Sequence, residues 1–106
     1  MAEVLSIDEL RERIDVIDNQ LVRLLNVRVA CAVEIGKLKH EAGLPIYQPE
    51  REAQVLAKVR ESATALAGPL TAEAVVRIFE RIIDEARRAE RESGSTSEDF
   101  GPSIGE

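Results

Sequence analysis

The sequence predicts an all-α fold of three helices per chain, one long and two shorter, and three observations predict it. Apolar residues recur at steps of three and four through most of the chain, the spacing that keeps side chains on one helical face. The interior breaks in that rhythm fall at Gly43 to Pro49 and at Gly68-Pro69, where a helix cannot easily continue. No segment of useful length alternates apolar and polar residues as a half-buried strand would, and no internal repeat is visible.

The first helix runs from Ile7 to about Ala42, a stretch without Pro in which Gly36 is the only glycine. Leu10, Ile14, Ile17, Leu21 and Leu24 form its seam, and the same rhythm continues through Arg28, Cys31, Ile35 and Leu38. Ser6 is placed to cap it, with Asp8 and Glu9 in the first turn and Glu9 completing an S-x-x-E capping box. Such a helix is about 36 residues, or roughly 54 Å, long. The rest of so short a chain cannot cover it, so a second copy lying alongside is expected and the protein is read as a helical homodimer. Gly43, Leu44 and Pro45 end the helix.

Pro49 suits the first turn of the second helix, with Glu50 and Glu52 near its positive end. Val55, Leu56, Val59, Ala63 and Leu66 supply the stripe of this helix, which is expected to fold back beside the first, and Gly68 and Pro69 stop it. Thr71 can cap the third helix, whose buried face is Val75, Phe79, Ile82, Ile83 and Ala86. Residues 1–92 therefore make one helical domain. From Ser93 onward, SGSTSEDFGPSIGE is too poor in apolar residues to fold alone and reads as a disordered acidic tail over residues 93–106.

Composition narrows the function. Twenty acidic against fourteen basic residues give a net charge of −6, which opposes binding to a phosphate backbone, so nucleic acid is not an expected partner. One Tyr, two Phe and no Trp offer little for stacking on bases or a flat cofactor. There is no apolar run long enough for a bilayer, and MAEVLSIDEL carries acids where a secretory signal has basic and then apolar residues, so a cytoplasmic protein is expected with no membrane partner. Cys31 is the single cysteine and is read as a small buried thiol, and with the lone His40 it cannot build a metal site, so neither metal nor cofactor is expected. His40, near a helix end, is assigned no role.

The informative residues are charges on apolar seams. Arg28 takes the seam position after Leu24, where a guanidinium must find an anion or reach solvent. Lys39 is eleven residues on, about three turns and ~20° away in azimuth, so both cations lie along one face. On the third helix Phe79, Ile83 and Ala86 lead by the next step of four to Glu90. Each has an ordinary reading: a snorkelling arginine, a surface lysine, an acid where the helix leaves the core. Together with Arg51 and Glu52, which follow Pro49 at the chain reversal, they point to one pocket for a small polyanion. No G-x-x-x-x-G-K loop is present, which favours carboxylates over phosphates.

LRERIDVIDNQLVRLLNVR, VEIGKLK, GLPIYQPERE and RIFERIIDEARRAE, in that order over roughly residues 5 to 91, resemble the all-helical class of chorismate mutases. The resemblance implies an intertwined dimer of three-helix chains, each of whose two sites is bounded by the long helices of both subunits, and conversion of chorismate to prephenate on the branch to phenylalanine and tyrosine. Carried over by position, Arg11 reaches into the partner's site and, with Arg28, holds the two carboxylates of a dicarboxylate substrate. Lys39 donates to the ether oxygen, Arg51 supports the carboxylate end, Glu52 accepts from the substrate hydroxyl, and Glu90 is a second ether-oxygen donor. The chain departs from the family's frequent pattern at Gln48, where an acid is common, and at Ala86, where some members have Ser; Glu90 corresponds to Gln in some members. The same scaffold also serves isochorismate pyruvate lyases, and a third reading is a helical regulatory module docking on another shikimate-pathway enzyme. A structural coiled-coil dimer gives no reason for Arg28 and Glu90 on apolar seams.

Overall fold

The computed structural model describes residues 4–45 and 47–98 of the chain. It contains α1 (Ile7–Ala42), α2 (Pro49–Leu66) and α3 (Ala72–Glu98), and no strand among the described residues. Ser6 caps α1 as the sequence predicts. Its hydroxyl accepts from the Glu9 amide at 3.0 Å, and the Ser6 amide donates to the Glu9 carboxylate at 2.8 Å. These two bonds satisfy donors that a helix start otherwise leaves orphaned. At the other end Gly43 adopts the left-handed conformation, φ 73°, and the Leu44 amide donates to the Lys39 carbonyl at 2.8 Å. The turn is thereby pinned to the level of Lys39.

Pro49 opens α2 without loss, since an amide there would have no helical partner. Thr71 Oγ1 accepts from the Ala74 amide at 3.0 Å and starts α3. Two expectations are corrected. α2 packs along α3 and not beside α1, so α3 is the central helix that touches both others. The left-handed stop of α2 is Ala67, φ 52°, one residue before the expected Gly68, and Leu66 beside it is exposed rather than part of the packed stripe. α3 runs to Glu98; residues 99–106, the rest of the segment expected to form a tail, lie outside the described residues.

The described chain measures 66 × 28 × 18 Å, an elongated shape with little interior. Among the described residues, Ala86 is the buried hydrophobic side chain and Gly36 the buried position of α1, where α1 meets α3. Val75, Phe79, Ile82 and Ile83 of α3 and Val55, Leu56, Val59 and Ala63 of α2 are half-buried along the predicted stripes. The α1 seam is open: Ile14, Ile17, Leu21 and Leu24 are each at least half exposed. No helix is long and apolar enough to cross a membrane among the described residues.

Candidate active site

A cavity of about 470 Å³ opens between the C-terminal half of α1, the first turns of α2 and the C-terminal half of α3. That volume is in the range of small-molecule sites. Its apolar wall comes from Ile35, Val55, Ile83 and Ala86. Its polar wall holds four cations, Arg28, Lys39, Arg51 and Arg87, against the carboxylates of Glu52 and Glu90. A chain with net charge −6 has gathered a surplus of positive charge at one place.

Local structure explains how each group arrives there. Arg28 and Lys39 share a face of α1 through their spacing. Arg28 is half-buried, and its guanidinium lies 5.9 Å from the centroid of the Phe79 ring on α3. Among the described residues, attraction to an aromatic face, not to an acid, thus accommodates this seam cation. Gln48 is the residue before α2, but its side chain makes no capping bond and lines the cavity instead. Arg51 and Glu52 follow within the first turn of α2, where the amide of Glu52 donates to the Gln48 carbonyl at 3.1 Å.

Arg87 was not among the residues singled out from the sequence, and it ties the site together. Its Nε is 3.3 Å from Glu52 Oε2, a terminal nitrogen is 2.7 Å from Asp84 Oδ1, and the guanidinium sits 5.0 Å from the Tyr47 ring centroid. One side chain therefore links the α1–α2 loop, α2 and α3. The Glu52 contact is ionic, since the buried Nε finds no hydrogen bond of good geometry. Arg87 falls four residues after Ile83, the same charge-on-a-stripe signal that marks Arg28. Ala86, at the competing step of three, masked it.

Glu90 is half-buried at the cavity wall. Burial pushes its carboxyl above the ordinary carboxylate range, an effect partly offset by Lys39 and Arg87. Ala86, with no hydroxyl, offers the cavity only a methyl group. Cys31 corrects an expectation: it is exposed, not buried, because it lines the open cavity. Arg11 is not brought to this cavity. It is highly exposed, 3.9 Å from Asp8 on the preceding turn, and seventeen residues before Arg28, about 25 Å away along the helix.

Three helices around a cation-lined cavity define an all-α protein suited to a small anionic ligand. The chain belongs to the family described as chorismate mutase type II, whose sequence pattern matches residues 10–91. It is 40% identical over 84 residues to the bifunctional chorismate mutase/prephenate dehydratase of Aquifex aeolicus (strain VF5), covering 78% of this chain and 23% of that protein. It is 40% identical over 98 residues to the T-protein of Enterobacter agglomerans, covering 92% of this chain and 24% of the relative. The chain thus spans about a quarter of the length of these curated relatives. Among solved structures, chorismate mutase (form II) from Thermus thermophilus superposes with a TM-score of 0.75 at 33% identity, over 80% of this chain and 93% of that one.

Proposed function

We propose that this chain is a chorismate mutase that rearranges chorismate to prephenate, working as a homodimer. The observation that carries the reading is the convergence of Arg28, Lys39, Arg51, Glu52 and Glu90 from three helices on one cavity, in a member of a family described by that activity. In the rearrangement the ether C–O bond breaks while a C–C bond forms between the enolpyruvyl methylene and the ring, with all electrons moving within the substrate. The protein's task is then to hold the reactive conformer and to stabilise negative charge growing on the ether oxygen.

Arg28 and Arg51 serve the first task by pairing with the substrate carboxylates, whose planar oxygens match the guanidinium fork. Arg11 serves a second copy's cavity, a reading supported by its exposure on the open half of α1. Lys39 serves the second task, and Glu90, when protonated, donates beside it. Glu52 accepts from the ring hydroxyl and Gln48 offers an amide nearby, while Ala86 contributes contact only.

Loss of chorismate absorbance with the purified protein, with product identification, tests this. Prephenate is expected, and Lys39→Ala is expected to lower kcat by about two orders of magnitude, or ~3 kcal/mol in the barrier. Pyruvate release from isochorismate without turnover of chorismate would transfer the site to the lyase reaction. A folded protein inert toward both, but active once another pathway enzyme is added, would support the regulatory module.

A further inference from the structure

Gly36 stands in the interior of a helix, about two turns before its end, that contains no other glycine, although alanine is the better helix former there. Something must offset that choice. A Cβ built at this position would lie 2.9 Å from Glu90 Oε2, 3.2 Å from Glu90 Cγ and 3.5 Å from Glu90 Cβ. All three nearest neighbours belong to one side chain. The space over Gly36 is therefore kept for the Glu90 side chain and its carboxyl end, and neither α3 backbone nor a packed apolar group comes as near.

We propose that Gly36 is a positioning residue that seats the Glu90 carboxyl at the cavity wall, one turn from Lys39, in the place from which it meets the substrate. The functional part rests on reading Glu90 as a donor to the ether oxygen. Alanine at position 36 would meet Glu90 Oε2 at 2.9 Å and Cγ at 3.2 Å, atoms that rotation about the glutamate's side-chain bonds can move, and Cβ only at ordinary contact distance, so the added methyl displaces the carboxyl rather than prying the helices apart. A packing glycine behaves otherwise: its replacement by alanine separates the helices and lowers stability. Gly36→Ala distinguishes the two, because helix propensity rises while the carboxyl moves.

The experiment compares the parent, Gly36→Ala, Glu90→Ala and the double variant. Gly36→Ala is expected to melt no lower than the parent while kcat falls about ten- to a hundred-fold, the scale of a misplaced catalytic group, with KM changed much less. In the Glu90→Ala background, where nothing occupies the space, Gly36→Ala is expected to change kcat by less than about twofold, the signature of two residues acting through one contact. A Gly36→Ala enzyme with parental kcat, an equal loss in both backgrounds, or a clear drop in melting temperature would each overturn the assignment.

A readout independent of turnover keeps it testable if chorismate is not the substrate. The groups facing the Glu90 carboxyl are Lys39 of α1, Glu52 of α2, and Arg87 and Arg91 of α3. With carbon-13-labelled glutamate, the carboxyl resonance absent from Glu90→Gln identifies Glu90. It is expected to titrate above the ordinary range in the parent and to move back toward it in Gly36→Ala, as the carboxyl leaves its seat for solvent. An unchanged titration would overturn the positioning role, whereas inactivity of the parent toward chorismate with the titration shifted as expected would overturn only the reaction.

Discussion

At the residue scale, burial acts on the carboxyl of Glu90. Desolvation raises its carboxyl, Lys39 and Arg87 pull it back, Glu52 raises it and Arg91 lowers it. If the neutral acid is the donor, activity is present below that pKa and lost as pH rises through it. Glu90→Gln, which keeps a donor at all pH values, is expected to flatten the alkaline limb of the kcat profile. An unchanged alkaline limb in the variant would remove Glu90 from the donor role. The linked effect on stability has the same sign. A carboxyl whose folded pKa is raised contributes stability below its unfolded pKa that is lost as pH rises through the folded value. Glu90→Gln is therefore expected to gain stability relative to the parent above that pH. Arg28 and Glu90 were legible in the sequence because a charge on an apolar stripe is conspicuous. Arg87 was not, since its partners Glu52, Asp84 and Tyr47 come from three separate segments.

At the element scale, local signals placed the helices. Ser6 with Glu9, Gly43, Pro49 and Thr71 each act within four residues of themselves, so their effects could be read directly. The stop of α2 is the exception. Ala67 holds φ 52°, a conformation that costs an L-residue with a Cβ about 1 kcal/mol or more, while its amide donates to the Ala63 carbonyl at 3.2 Å. Gly68, the expected stop, is one residue too late to take that bond. Ala67→Gly is thus expected to raise stability by roughly 0.5–1 kcal/mol, offset in part by the freer unfolded chain. Urea unfolding of parent and variant checks it, with kcat unaltered because the site lies at the other end of α2. A loss of stability would mean that the strain is absent.

At the scale of the whole molecule, the first half of α1 has no covering neighbour. From Ile7 to Val27 every residue is exposed in the single chain, including the seam residues Ile14, Ile17 and Leu21. Contiguous apolar surface of this kind marks an interface. Burial against a second copy would contribute roughly 1.5–3 kcal/mol for each of these side chains. The same placement would carry Arg11 to another chain's cavity. Sedimentation is expected to report a dimer, and the melting temperature to rise with protein concentration. Leu21→Glu is expected to give a monomer with kcat/KM reduced by about tenfold or more, since removing an electrostatic contact of a few kcal/mol has that effect. A parental protein that stays monomeric at high concentration and turns over fully would refute both the dimer and the role of Arg11.

By itself the sequence determined the all-α class, the three helices with most of their ends, the unusually long α1, and the charged positions Arg28, Lys39, Arg51, Glu52 and Glu90. These follow from periodicity, caps and breakers, whose physics acts over a turn or two of chain. Only the tertiary structure decided that α2 lies on α3 and not α1, that Phe79 rather than an acid meets Arg28, that Arg87 joins three segments, and that Gly36 makes room for Glu90. Those are relations between side chains far apart in sequence. They depend on how helix faces pack and which faces remain open, and the spacing of residues along one helix does not encode them.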